Sequence, residues 1–350
     1  MKADAEFSRE VLILHPDEVV RDLSQTIRNT VFRRLRRNGA VVGLSGGVDS
    51  SVTAALCVTA LGKDRVFGVL MPEEDSSEDS LKLGRLLAKS LGIAAVVEDI
   101  APALRALGCY DRRDEAIRRV IPEYGPGWKS KIVLPDLFEG AFYSLYSVVA
   151  QSPMGELRKA RLTKDAYLGI VAATNFKQRT RKMLEYYHAD RLWYAVAGTP
   201  NRLEYTQGFF VRNGDGAADF KPIAHLYKTQ VYQLGRYLGV PEEILLRPPT
   251  TDTYSLEQSQ EEFFFSVPLE TLDLCLYGKN HHISAAEVAE TTKLTEQQVQ
   301  RIYANIDSKI VSTRYLHMPA QLMQPIEEIS GVGSSPGDTP VSFVEVDRRS

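Results

Sequence analysis

Apolar positions recur along the chain with two periods. From Pro16 to Arg37, Val19, Val20, Leu23, Ile27, Val31 and Leu35 fall at helical spacing. Three short apolar runs follow, Ala40–Gly43, Arg65–Pro72 and Ala94–Ile100. Runs of that length between turn signals predict buried strands. The helical patterns between them are Val52–Leu61 and the series Leu81, Leu83, Leu86, Leu87 and Leu91. Strand–helix–strand–helix–strand predicts an α/β fold, a parallel sheet with right-handed crossovers. Ligands in such sheets bind beyond the carboxyl ends of the strands. Further on, Ala166–Tyr187 predicts a long helix, Leu192–Ala197 a strand, and Lys228 opens a helix marked by Val231, Leu234 and Leu238. Two capping boxes, Ser284 with Glu287 and Thr295 with Gln298, open a helical pair expected to run to about Val311.

This pattern divides the chain into residues 1–100, the first half of a nucleotide-binding domain, and 166–320, its remainder with a small helical C-terminal part. Between them, residues 101–165 mix charge clusters, a Gly-Pro-Gly turn at 125–127 and an apolar-aromatic run from Leu137 to Val149. That stretch reads as a lid, an inserted subdomain or an interface element. Residues 321–350 are rich in Gly, Ser, Pro and acids and read as a poorly ordered tail.

Composition removes several classes. A net charge of -3 over 350 residues gives no basic field for nucleic acid. Arg28, Arg33, Arg34, Arg36 and Arg37 close the first helix, where cations suit the helix dipole, and read as a solvated face. Cys57, Cys109 and Cys275 are far apart, which argues against disulfides and zinc and for three small buried residues. No apolar stretch has transmembrane length and no signal-like segment opens the chain, so a cytoplasmic enzyme is expected.

Chemistry concentrates at Ala40-Val41-Val42-Gly43-Leu44-Ser45-Gly46-Gly47-Val48-Asp49-Ser50-Ser51. An apolar strand ends in a Ser-Gly-Gly turn and a helix begins. Gly46 and Gly47 allow a tight turn and close approach of an anion. The helix start adds unpaired N–H groups and the positive end of a dipole. Ser45, Ser50 and Ser51 add hydroxyls. The loop is not of the Walker type, because it has no lysine. Asp49 stands there instead, and a carboxylate beside phosphates suits a Mg²⁺-bound nucleotide. Glu204 is a candidate second metal ligand, because strand-end loops converge on one edge. On the long helix, Asn175, Arg179 and Lys182 share a face by spacing, fit for an anionic substrate. Lys228 opens a helix against the dipole preference, which a bound phosphate would offset.

The loop resembles the pyrophosphate loop of the N-type ATP pyrophosphatases, and later segments narrow the resemblance to the ammonia-dependent NAD synthetase family over residues of about 17–320. The carriers are S-G-G-x-D-S-S at 45–51, M-P-x-x-x-S-x-x-D from Met71, N-x-K-x-R-x-R-x-M at 175–183 and G-T-x-N-x-x-E at 198–204. They continue with G-F-F-x-x-x-G-D-G-x-x-D at 208–219, P-I-x-x-L-Y-K-T-Q-V at 222–231 and P-P-T-x-D at 248–252. The resemblance implies a Rossmann-like, adenine nucleotide alpha hydrolase-like parallel sheet with flanking helices. It implies ATP and Mg²⁺ as cofactors and ammonia-dependent amidation of deamido-NAD through an acyl adenylate. ATP contacts carry over to Gly43, Ser45, Gly46, Gly47, Asp49, Ser50, Ser51, Met71, Thr199, Lys228 and Thr250. Metal contacts carry over to Asp49 and Glu204, with Asp49, Glu204 and Lys228 as the catalytic set. Substrate contacts carry over to Asn175, Arg179, Arg212, Asp215 and Asp219, with Asp215 or Asp219 open as a general base for ammonia. A homodimer is implied, with ammonia free or supplied by a separate glutaminase.

Four places depart from that family. Arg212 stands for Lys, Arg314-Tyr315 for a His-Lys pair, and Phe263-Phe264-Phe265 for an acidic residue followed by Leu-Gly, and 101–165 is long. All lie on the acceptor side or the periphery. An amide ligase acting on a different carboxylate therefore stays open, as does a non-catalytic ATP-binding regulator.

Overall fold

In the computed structural model, residues 7–134, 146–250, 253–265 and 267–324 are described. The expected aromatic run between Leu137 and residue 145, Thr251 and Asp252 of the Pro-Pro-Thr motif, and the tail from 325 onward lie outside them. Met1–Leu316 is one compact unit and His317–Ser350 a second. In the second, Gln321 donates to the Pro319 carbonyl at 2.9 Å. All that follows concerns the first.

The strands are β1 (Ala40–Gly43), β2 (Val66–Leu70), β3 (Ala94–Val97), β4 (Lys129–Val133), β5 (Ser147–Gln151), β6 (Leu157–Arg161) and β7 (Ala195–Ala197). The helices are α1 (Pro16–Arg28), α2 (Val48–Leu61), α3 (Glu78–Leu91), α4 (Ala101–Ala106), α5 (Cys109–Arg118), α6 (Lys164–Leu192), α7 (Arg202–Gln207), α8 (Lys228–Tyr237), α9 (Glu242–Leu245), α10 (Leu269–Asn280), α11 (Ala285–Thr292) and α12 (Glu296–Thr313).

The expected parallel sheet has strand order β3-β2-β1-β7. Val41 pairs with Phe67 on one side and Val196 on the other. Successive side chains point to opposite faces. Ala40 and Val42 pack with α1, α2, α3 and α8, around Ile27, Val52, Leu56, Leu87 and Val231. Val41, Val69 and Val196 pack on the other face with Ala189 of α6. Central strands covered on both faces read as unbroken apolar runs. That is why β1 was legible.

Three boundaries differ from expectation. The first α-helix stops at Arg28 and continues as a π-helical turn over Asn29–Arg34, where Leu35 N donates to Thr30 O at 2.8 Å. The long helix runs to Leu192, so the strand expected from there starts only at Ala195. Trp193 makes the stop by adopting φ 58°, while its indole donates to Arg36 O at 3.1 Å and Arg37 stacks 4.0 Å above it. The third run is strand only to Val97. Both capping boxes form, and the helical pair extends to Thr313. The three cysteines are free and buried, and burial pushes the Cys57 and Cys275 thiols up to about 12.

Residues 101–165 hold α4, α5 and a separate antiparallel sheet of order β4-β5-β6. Ile132, Val148 and Ala150 of this sheet pack on Ile117 of α5, Ile170 of α6 and Tyr254. Strand β4 also holds a distant segment. Ser130 N donates to Ser255 Oγ at 2.8 Å, and Leu256 N donates to Ser130 O at 3.2 Å. The helices α10, α11 and α12 build a further core that reaches Leu203 and Tyr227.

Candidate functional site

Gly46 fixes the turn after β1. Its φ is +76°, and a Cβ there would stand 2.6 Å from the Ser80 carbonyl. Gly47 has φ -94° and room for a Cβ, so its conformation does not require glycine; its carbonyl is the anchor of the turn. That oxygen accepts the Ser50 and Ser51 hydroxyls at 3.0 and 2.9 Å. Ser51 is fully buried and lines neither cavity described below; its hydroxyl ties the first turn of α2 together. Ser45 Oγ lies 3.1 Å from Ser50 Oγ and accepts Gly47 N at 3.3 Å. The first N–H groups of α2 have no acceptor within the helix and form the anion-facing end.

Asp49, on that first turn, forms an ion pair with Lys228 and accepts the Asn201 side-chain N–H at 3.1 Å. Asn201 also caps α7: its backbone N–H reaches Glu204 Oε2 at 3.0 Å, and its side-chain oxygen accepts Glu204 N at 3.2 Å. One asparagine thus holds both predicted carboxylates. Gln260 donates to Glu204 Oε1 at 3.1 Å. Burial, then the Asp49 charge, push the Glu204 carboxyl up to about 8, against the pull of Lys228 and the Asn201 N–H. Burial alone would lower Lys228, but the Asp49 and Glu204 carboxylates outweigh it and raise it.

The expected anion at the start of α8 is a protein carboxylate. Asp273, fully buried on α10, accepts Lys228 N at 3.2 Å and Thr229 N at 2.7 Å. This occupies the helix dipole and leaves the Lys228 side chain for Asp49. Burial pushes Asp273 up to about 6, opposed by the Thr229 N–H.

Two cavities meet over the α2 terminus. The larger, about 370 Å³, is lined by Asp49, Asn175, Glu204, Lys228, Thr250 and Tyr254 among others. The smaller, about 150 Å³, is lined by Gly43, Leu70, Met71, Arg181, Lys182 and Glu185 among others. Ser45, Ser50, Gln178, Thr199 and Asp215 line both. Of the other predicted residues, Gly47 lines the larger cavity, and Gly46, Arg179, Arg212 and Asp219 line neither.

Arg179 is exposed and its Nε donates to Arg212 O at 3.3 Å, while Arg212 Nη1 donates to Tyr315 O at 3.1 Å. Asp219 closes the edge of β7: its carboxylate accepts Val196 N at 2.7 Å and the Tyr186 hydroxyl at 3.2 Å. The expected common face of Asn175, Arg179 and Lys182 is therefore divided. Asn175 faces the larger cavity, Lys182 faces the smaller and pairs with Glu185 at 2.6 Å, and Arg179 faces neither. Asp215 accepts Val211 N at 2.8 Å, and burial raises its carboxyl pKa.

The residues missed by sequence reasoning are Asn201, Gln260, Asp273 and Tyr146. The spacing Asn201…Glu204 is a helix-start signature and could have disclosed the first. Gln260 and Asp273 act across 56 and 45 residues and have no local signal. Tyr146, stacked 4.4 Å from Tyr167, lines the larger cavity from just before β5, the central strand of the inserted sheet.

The family described as NAD synthase matches residues 19–119 and 148–312. The chain is 61% identical over 298 residues to an NH(3)-dependent NAD(+) synthetase of Rhizobium meliloti (strain 1021), covering 85% of this chain and 89% of the relative. It is 41% identical over 250 residues to the enzyme of the same name from Thermotoga maritima, covering 70% and 82%. A solved NH3-dependent NAD synthetase of Campylobacter jejuni shares the fold, with a TM-score of 0.57, 20% identity and coverage of 89% and 100%.

Proposed function

The chain belongs to the NAD synthase family, and from that premise we propose that its two cavities perform the ammonia-dependent, ATP-driven amidation of deamido-NAD. The observation that carries this reading is the Asp49–Asn201–Glu204 unit with Lys228, whose carboxylates and ammonium line the larger cavity beside Ser45 and Ser50, which line both. The smaller cavity takes the adenosine of ATP between Gly43, Leu70 and Met71. The triphosphate crosses at Ser45, Ser50 and Thr199 toward Thr250 and Lys228. The larger cavity takes deamido-NAD, with Asn175 as a polar contact.

In the first step a nicotinate carboxylate oxygen bonds to the α-phosphorus, and the bond from that phosphorus to the bridging oxygen breaks, releasing pyrophosphate. In the second, ammonia nitrogen bonds to the acyl carbon, the carbon–oxygen bond breaks, AMP leaves and the nitrogen loses a proton. The chain's share is orientation and charge neutralisation more than a nucleophile of its own. The Lys228 ammonium and the α2 N–H groups face the accumulating phosphate charge. Asp215, with its raised pKa, sits at the junction and can take a proton.

Asp49 and Glu204 would hold Mg²⁺. They fit it: two hard oxygen donors are already drawn together by Asn201, and burial, then the neighbouring Asp49 charge, raise Glu204. Among the described residues no group of three or more metal-ligating side chains converges. That suits a cation that keeps waters and takes phosphate oxygens. When bound, it supplies neutralisation of the phosphate charge.

No helix among the described residues is long and apolar enough to cross a membrane. We place the enzyme in the cytoplasm, as a homodimer using free ammonia or that of a separate glutaminase. The test is direct. ATP, Mg²⁺, ammonium and deamido-NAD should give NAD, AMP and pyrophosphate in equal amounts. AMP release only with a different acid would overturn the acceptor.

A further inference from the structure

We propose that Lys177 is a positioning residue that joins the walls of the two cavities; the proposal rests on the amidation reading for its rate effects but not for its structural ones. Lys177 is fully buried and lines neither cavity, although Thr174, Asn175 and Gln178 beside it on α6 do. Its ammonium meets Glu73 Oε1 at 3.0 Å, Asp75 Oδ2 at 2.5 Å and the Thr253 carbonyl at 2.7 Å. An ammonium has three donors, and all three are used.

Those acceptors come from two places. Glu73 and Asp75 belong to the loop after β2, whose Met71, Pro72 and Ser76 line the smaller cavity. Thr253 belongs to the segment after Thr250, which lines the larger one together with Tyr254. Both anions have further partners. Arg113 Nη1 reaches Asp75 Oδ2 at 2.5 Å, and the Tyr110 hydroxyl donates to Glu73 Oε2 at 2.9 Å. The loop after β2 is therefore held by α5 without Lys177, and this ammonium adds a direct bond from that loop's anions to the Thr253 carbonyl. A buried lysine is tolerated only while its charge and its donors are matched. Withdrawal of the Thr253 carbonyl would leave one donor unmatched, so the start of the segment is held against the loop after β2. In-line displacement between substrates in two cavities depends on the relative placement of their walls. Lys177 sets that placement without touching either substrate.

The test uses the full chain with Lys177→Met alone and with Lys177→Met joined to Glu73→Gln. The double variant leaves Arg113 balanced by Asp75 and keeps an amide oxygen for Tyr110. Its circular dichroism and thermal midpoint should match the parent. Amide hydrogen exchange should rise over Thr253–Ser255, ahead of the anchors on Ser130, while ATP affinity stays within about threefold and single-turnover pyrophosphate release slows on the order of 100-fold. Parent-like exchange and release in the folded double variant would overturn the proposal. So would a loss of release that merely tracks loss of folded protein, or failure of both variants to fold. The exchange measurement needs no substrate, and its result stands even if the acceptor is another acid.

Discussion

The smaller cavity takes its walls from the carboxyl ends of β1, β2 and β7 and from α6, so its shape follows from the parallel sheet. The larger cavity shares that sheet edge but gains Tyr146 from the inserted sheet and Thr250, Thr253, Tyr254 and Gln260 from a segment of little regular structure. Backbone pairing sets the first. Side-chain anchors separated by scores of residues set the second, with Ser130 on Ser255, Lys177 on Thr253 and Gln260 on Glu204. The difference teaches where tolerance lies. The α2 end of the site depends on the sheet, whereas the far wall of the larger cavity, Thr250 included, depends on anchors that lie outside it. The family match itself breaks between residues 119 and 148, where β4 lies.

The strongest way to break the comparison is Asp49→Asn. The amide can still accept from Asn201, but buried Lys228 loses its paired charge, so the thermal midpoint should fall, and release is compared per folded molecule. Pyrophosphate release should fall by at least about 100-fold, because charge at the phosphate end is lost. Near-parent release would move that end away from α2.

Next in size is a proton effect. The Glu204 pKa is raised from 4.5 to about 8, so the fold favours the protonated carboxyl. The stability this contributes is complete below about 4.5 and is lost as pH rises through about 8. A cation bound at Asp49 and Glu204 needs the ionised form. Binding of Mg²⁺ with ATP at pH 7 should therefore release a proton, and affinity should rise with pH and level off above about 8. Calorimetry in buffers of different ionisation enthalpy reads the proton, and Glu204→Gln should abolish it. Proton uptake, or release unchanged in that variant, would refute the assignment.

The smallest effect sharpens the contrast. Ser255→Ala removes the acceptor of Ser130 N and should cost about 1 kcal/mol. It should raise the acceptor's KM several-fold and leave that of ATP unchanged. Equal changes in both would mean that the inserted sheet braces the whole site.

The same division decided what could be read from sequence. The Ser-Gly-Gly turn was legible because glycine conformation, helix start and strand burial are local, and the capping boxes at Ser284 and Thr295 were legible for the same reason. The inserted sheet was not. In β6, Leu157-Arg158-Lys159-Ala160-Arg161 is mostly exposed and shows no apolar alternation. The anion at the start of α8 was expected to be a phosphate, and Asp273 is 45 residues away in the chain. Asn175, Arg179 and Lys182 were grouped by helical spacing, but α6 passes between two cavities and an exposed face, so equal spacing did not mean a shared neighbour.

Asp219 has a consequence for assembly. Its carboxylate occupies the Val196 N–H, its own N–H reaches the Val196 carbonyl at 2.9 Å, and Phe220 bridges to Ala197. The outer side of β7 is already spoken for and offers a visiting strand nothing to pair with. Two copies of this chain cannot merge their sheets across that border, and any contact made there would be between side chains.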